Sequence, residues 1–280
     1  LVPYVNLSYM FKGAHIVTLS YTQRLSRPGI WYLNPYINDS DPMNIRFGNP
    51  ELNTVKRDVF TIGYRKSSSK WSLNTTANAS FTTNNIESIV TIGANGVSST
   101  TYENIGKNNS FSLNLNLSYY LGAKFNLYLN GSIIYSTYES KEINQSSSGF
   151  TPMGGVGCSV ALWKNATATG NFYIFGGSAS LQSKSTVICN TMVGLTQKIY
   201  KDKFSVSASV NQPFNHTITS KNDITGTNFS SHSEFISYPR SFRFSVNWRF
   251  GKYNVNVKKA RKSSVDDKLG GGGATTGGDK

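Results

Sequence analysis

Residues 110–136, SFSLNLNLSYYLGAKFNLYLNGSIIYS, change character at nearly every step. Leu113, Leu115, Leu117, Tyr119 and Leu121 alternate with Ser112, Asn114, Asn116 and Ser118. After Gly122, Ala123 and Lys124, the apolar series Phe125, Leu127, Leu129, Ile133 and Tyr135 alternates with Asn126, Asn130, Ser132 and Ser136. A period of two puts each series on its own face of a strand, so the stretch predicts a hairpin with a tight turn. The same alternation recurs in Trp71, Leu73, Ala77 and Phe81, in Phe204, Val206, Ala208 and Val210, and in the run SFRFSVNWRF at 241–250. There Phe242, Phe244, Val246, Trp248 and Phe250 oppose Arg243, Ser245, Asn247 and Arg249. Each run lasts about ten residues, the length of a tilted membrane-crossing strand.

Two architectures share this pattern: a soluble sandwich that buries the aromatic face, and a membrane barrel that turns it to lipid around a polar lumen. The connections separate them. Short turns are predicted around Lys12–Ala14, Ser67–Lys70, Gly122–Lys124, Lys164–Ala168 and Tyr200–Lys203. They alternate with long connections through 27–55, 84–109, 138–149 and 214–238 and a shorter one near 182–185. Short and long connections sorted to opposite ends are the mark of an outer-membrane barrel, with turns in the periplasm and loops outside. Trp71, Tyr119, Tyr120, Phe125, Trp163, Phe172, Tyr200, Phe204, Trp248 and Phe250 fall beside the short turns, where an inner aromatic girdle belongs. The expected fold is all-β, a transmembrane antiparallel β-barrel with about eleven strands in residues 1–250. An odd number with the first strand running inward implies part of a larger barrel, the rest supplied by another segment.

Composition adds exclusions. Of 280 residues, 38% are hydrophobic and 15% charged, and no run approaches eighteen consecutive apolar residues, so no transmembrane helix is expected. The formal charge of +14 is scattered, without a recognition helix or an aromatic RNA-binding motif, which argues against nucleic acid and for anionic lipid or an anionic ligand. Cys158 and Cys189 form neither a disulfide framework nor a metal site. His15, His216 and His232 lie in separate segments, so no catalytic site and no cofactor is expected. Gly154-Gly155 and Gly176-Gly177 read as barrel bends or close strand packing, since no helix follows them. Beyond 250 the alternation ends; Lys252, Lys258, Lys259, Arg261 and Lys262 precede a Gly-rich stretch, expected to be a disordered periplasmic tail.

The segment YTQRLSRPGIWYLNPYINDSDPMNIRFGNPEL, residues 21–52, carries Tyr21, Arg24, Arg27-Pro28, Leu33-Asn34-Pro35, Asp41, Asn44, Gly48-Asn49-Pro50 and Leu52. In these residues and their spacing the chain closely resembles the outer-membrane β-barrel family related to TonB-dependent receptors, and its aromatic last strand is similar too. That resemblance implies a C-terminal barrel portion of a receptor for energised nutrient import. The plug domain, the TonB box and the carboxypeptidase-like leader of that family are not in these residues. It also implies outer-membrane lipid and lipopolysaccharide, missing N-terminal barrel and plug segments, TonB, and a surface lipoprotein or other complex subunits as partners. It makes Phe242, Phe244, Trp248 and Phe250 an insertion signal. The alternatives are a structural or assembly barrel without transport and, more remotely, a soluble adhesin-like sandwich.

The residues of the motif can be read physically as well. Pro28, Pro35, Pro42 and Pro50 restrict the backbone, so the connection should be ordered without being a strand. Arg24 and Arg27 either meet an anionic ligand or pair with Asp39, Asp41 or Glu51 and brace the loop. Trp31, Tyr32, Tyr36 and Phe47, with His216, Phe229, His232 and Phe235 from the last long connection, are the expected aromatic contact surface for a ligand.

Overall fold

The structure is a computed structural model and describes residues 2–250 apart from 123, 201 and 202. Residues through Trp248 form one compact unit. Of the second, Arg249–Lys280, only Arg249 and Phe250 are described, and the expected tail at 251–280 lies outside the described residues. The strands are β1 Tyr4–Phe11, β2 His15–Ser26, β3 Asn44–Arg46, β4 Val55–Ser67, β5 Trp71–Ile92, β6 Ser98–Leu121, β7 Phe125–Ser140 and β8 Gln145–Trp163. They continue with β9 Ala166–Phe175, β10 Ser183–Ser185, β11 Ile188–Ile199, β12 Phe204–Asn211, β13 Ile218–Thr225, β14 Ser230–Ser237 and β15 Ser241–Trp248. One helical turn, α1 Ile30–Leu33, follows β2.

Eleven of the main sheet's twelve strands follow one another in the order β1-β2-β4-β5-β6-β7-β8-β9-β11-β12-β15, every neighbouring pair antiparallel, as the alternation predicts, and β3 joins off this path beside β6. The sheet is not closed: among the described residues β1 pairs only with β2, and β15 only with β12. Eleven antiparallel strands leave β1 and β15 pointing the same way, so an antiparallel closure needs further strands between them.

The register turns the local alternation into continuous faces. Val5, Tyr21, Phe60, Ala79, Phe111, Tyr135 and Phe150 stand opposite one another across seven strands. The next row holds Leu7, Leu19, Ile62, Ala77, Leu113 and Ile133. On β6 the apolar rows run from Phe111 to Leu121, about 33 Å of strand, or a band about 25 Å high at a tilt of about 40°. The opposite face is knitted by hydroxyls and amides: Thr61 Oγ1 donates to Asn78 Oδ1 (2.7 Å), and Asn78 Nδ2 donates to Ser112 Oγ (3.0 Å). Ser72 and Ser118 (2.7 Å) do the same further along β5–β6, and Thr196 and Ser207 (3.0 Å) across β11–β12. A side chain that must satisfy its polar atoms beside strand neighbours selects this Ser/Thr/Asn face.

All five short turns are present, β8–β9 in tighter form: only Lys164 and Asn165 connect the strands, and Ala166 and Ala168 belong to β9. Asn165 there takes a positive φ of 64°. The long connections differ more from expectation. Residues 84–109 are largely strand, because β5 and β6 run on to Ile92 and Ser98 past a bulge at Thr82–Asn85. Residues 138–149 are likewise mostly β7 and β8, with a turn at 141–144. The connection expected near 182–185 spans 176–187, and 214–238 holds the β13–β14 hairpin, which pairs with β10 in a separate three-stranded sheet. Aromatics line the long-connection rim as well as the short-turn rim: Tyr21–Phe60, Phe60–Phe81 and Phe81–Phe111 ring centroids lie 4.9, 6.2 and 5.9 Å apart. Tyr120, expected in the inner girdle, is on the polar face opposite Asn126.

The predicted glycine packing holds at β8. Gly154 (φ 153°) would place a Cβ 2.3 Å from the Asn130 carbonyl oxygen, so β7 and β8 approach too closely there for any side chain. Gly176 and Gly177 are equally hemmed in, by Pro152 O and Ser185 O.

Candidate functional site

The long-connection end is where the sequence motif folds. Residues 27–54 leave β2, form α1, and return along the β5–β6 extension, where β3 pairs in parallel with Ser98–Thr100 of β6. Asn38 bridges Arg46, and the Asn44 amide and Met43 N–H hold the Asp41 carboxyl below the ordinary carboxylate range. The two Asn-Pro corners meet: Gly48 N–H donates to Asn34 O (2.8 Å) and Asn49 N–H to Tyr32 O (2.6 Å). Asn49 Nδ2 then donates to Tyr102 O (2.9 Å), Phe47 N–H to Thr100 O (3.1 Å), and Asn53 N–H to Asn104 Oδ1 (2.6 Å). The motif's Asn, Gly and Pro residues are thus the clasp that fastens the connection to β6.

The expected ligand residues separate accordingly. Tyr32 packs edge-on against Tyr102 at 4.6 Å and Phe47 is half-buried, so both are partly spent on the clasp. Trp31, 83% exposed, and Tyr36 point outward. Phe229 sits over Gly226, and Phe235, 70% exposed, lies on β14, while His216 stacks edge-on with Tyr238 and His232 bonds Asp223. No ring contact among the described residues joins the two groups, so the structure offers two aromatic surfaces, not one platform. The root of the second is pinned: Arg240 donates to Gln212 O (3.1 Å), and Gln212 Nε2 donates to Cys189 O (2.6 Å).

Arg24 and Arg27 are exposed and make no ion pair with Asp39, Asp41 or Glu51 among the described residues. Arg24 stands directly opposite Arg57, on the polar face, and Arg57 Nε donates to Thr82 Oγ1 (3.1 Å). Like charges opposed across a strand pair are unfavourable. Arg65 and Arg243 share that face, and from the Arg24–Arg57 row down to the short turns its described residues include no Asp or Glu. The wall is mostly hydroxyl and amide, and Arg24, Arg57, Arg65 and Arg243 face no carboxylate among its described residues.

A further contact was not legible in the sequence. The tip of the 176–187 connection reaches β5 across the places of β6, β7 and β8 in sheet order: the Gln182 side-chain oxygen accepts from Val90 N–H (2.8 Å). The Leu181 N–H meets Glu87, which is 5% exposed and also bonded by Asn85 Nδ2 (2.8 Å). Burial pushes the Glu87 carboxyl above its ordinary range, against the pull of those two donors. With its folded pKa raised, Glu87 keeps its proton under the docked arm at pH values where it loses it with the arm detached. Docking therefore strengthens as pH falls through the interval between the two pKa values and weakens as pH rises through it. Hydrogen-exchange protection of the amides at 181–182 should follow that direction, and Glu87→Gln should flatten it; unchanged pH dependence in the variant would assign the effect elsewhere.

A search of curated proteins finds no match. Solved structures do match: the copper transporter OprC (15% identity, TM-score 0.62) and the Pseudomonas aeruginosa ferric enterobactin receptor PfeA, as an R480A mutant with enterobactin (14%, TM-score 0.58). Each alignment covers 88% of this chain and 40% of the other, so the chain spans about two-fifths of its neighbours' length. At these identities the likeness is one of fold. The outer membrane protein beta-barrel family model matches residues 1–248, the whole extent of the main sheet with its apolar belt and polar wall, and the chain belongs to that family of outer-membrane barrels.

Proposed function

We propose that this chain is the C-terminal barrel portion of a TonB-dependent outer-membrane receptor that imports a nutrient, and that the nutrient is anionic. The observation that carries this is the Arg24–Arg57 pair at the long-connection end of a polar wall with no Asp or Glu among its described residues. Two arginines opposed across a strand pair gain most from a ligand bearing carboxylate or phosphate oxygens, since charge-assisted hydrogen bonds contribute about 1.5–3 kcal/mol each. Trp31, Tyr36 and Phe235 supply exposed aromatic surface for first contact.

The edges of β1 and β15 support further strands: an open sheet edge does not persist in hydrocarbon, where its N–H and C=O groups find no water. The remaining barrel and a plug are the first partners of this reading, with TonB driving the plug and a surface lipoprotein or other complex subunits beside it. Long connections then face outward and the tail the periplasm. Phe242, Phe244 and Trp248 extend the apolar rows of Val210, Ala208 and Phe204 on the last strand, which suits them, with Phe250, to an insertion signal. The reaction class is transport, with no catalytic group assigned.

Uptake through the full-length protein should stop when the proton gradient is collapsed, while surface binding persists. Arg24→Ala/Arg57→Ala should weaken that binding at least about tenfold, equivalent to 1.4 kcal/mol, with heat-modifiable barrel retained. Uptake indifferent to the gradient would replace this reading with a structural or assembly barrel.

A further inference from the structure

Beyond the apolar belt β5 and β6 continue as a ribbon. Among the described residues β4 stays beside β5 only to Thr83 and β7 beside β6 only to Lys107, and register shifts between Thr82 and Ile86 set the ribbon apart from the belt strands. Two strands alone are marginal in water, and this pair places Glu87 opposite Glu103, which is unfavourable when both are charged. Each outer edge of the ribbon is taken by a different connection. On β6, β3 lies parallel to Ser98–Thr100, Phe47 N–H donates to Thr100 O (3.1 Å) and Asn49 Nδ2 to Tyr102 O (2.9 Å). On β5, the tip of the 176–187 arm brings the Gln182 side-chain oxygen to Val90 N–H (2.8 Å) and the Leu181 N–H to Glu87. Val90 and Thr100 are partners in the ladder, so one cross-strand pair is held by the arm at one end and by the clasp at the other. The arm extends the path, since Thr225 N–H of β13 donates to Gln182 O (2.8 Å) and β13 pairs with β14, the strand of Phe235. No hydrogen bond among the described residues joins clasp and arm directly.

We propose that the ribbon couples these two connections: docking of the clasp on β6 and of the arm on β5 each order the ribbon, and so each strengthens the other. A marginal pair of strands ordered by a partner on one edge presents its other edge already formed, and the second partner binds it more tightly for that reason. Coupling of this kind is reciprocal, so opening either connection loosens the other. A ligand seated on Trp31 and Tyr36 of the clasp would then steady the hairpin of Phe235 without touching it, and the two separate aromatic surfaces would respond together. That use of the coupling rests on the receptor reading. The coupling itself needs no ligand, plug or transport, so its test is independent of uptake.

Full-length protein in lipid nanodiscs is followed by hydrogen exchange and limited proteolysis. Gly48→Ala opens the clasp, and exchange of the Val90 and Leu181 amides, on the far edge of the ribbon, should quicken at least about fivefold. Asn49→Ala, which removes the bond to Tyr102 O, serves in its place if Gly48→Ala impairs insertion. In the other direction, Gln182→Ala removes the bond from Val90, and cleavage between residues 30 and 47 should quicken at least about fivefold. Exchange at Leu115 and Leu129, inside the belt, should stay as in the parent in every variant. Val90 and Leu181 amides indifferent to an open clasp, a clasp indifferent to Gln182→Ala, or faster exchange that extends to Leu115 and Leu129 would each overturn the proposal, the last by showing a general loosening of the barrel.

Discussion

Arginine at position 115 should cost about 2–4 kcal/mol of folding free energy in bilayers, and arginine at 114 far less. Leu115 stands in the third of the six apolar rows on β6, opposite Thr75 and Gly131, near the middle of the belt. A guanidinium there meets hydrocarbon and must stretch half the membrane to reach phosphate or water. Asn114, one residue away, shares the opposite face with Thr76 and Ser132, where an arginine joins a wet wall. Urea titration of the two variants in vesicles, scored by heat-modifiable migration, separates them. Equal losses would mean that the two faces are assigned to the wrong solvents.

The second large effect belongs to Gly48. A Cβ at this position would lie 2.5 Å from Asn34 O, 2.6 Å from Tyr32 O and 2.8 Å from Asn34 N, all backbone atoms. No rotamer relieves such a clash, so Gly48→Ala has to open the two Asn-Pro corners and lose the hydrogen bonds from Gly48 and Asn49 that close them. Overpacking and two broken bonds together amount to about 2–4 kcal/mol, charged to the clasp and not to the strands. Proteolysis between residues 30 and 47 should become rapid while the barrel still migrates as folded. A variant as resistant as the parent would show that the clasp tolerates a wider approach.

Gly48 also shows why the motif was readable as a signature and not as a device. The Asn-Pro pairs announce turns, but only the folded chain shows that the turns bond one another and then Tyr102 and Asn104, some fifty residues on. The expectation that 84–109 is loop failed for a related reason. Beyond the apolar belt neither face of β5 and β6 has to meet lipid, so TTNNIESIVTI and SSTTYENIGKNN keep strand geometry without an apolar period, with Glu87 and Ile89 buried there.

What the residues determine by themselves is local: a period of two over about ten positions, tight turns between, and from these the strands, their two faces and the solvent each face needs. Even the eleven strands of the antiparallel path follow, because they carry the alternation, whereas β3, β10, β13 and β14 do not. The tertiary structure alone decides what depends on register. The aromatic contacts from Tyr21 through Phe60, Phe81 and Phe111, the opposition of Arg24 to Arg57, and the reach of Gln182 to Val90 each join residues from separate parts of the chain. Such alignments are set by hydrogen bonding between strands, and a shift of two residues in one pairing would keep every face intact while moving each of these contacts apart.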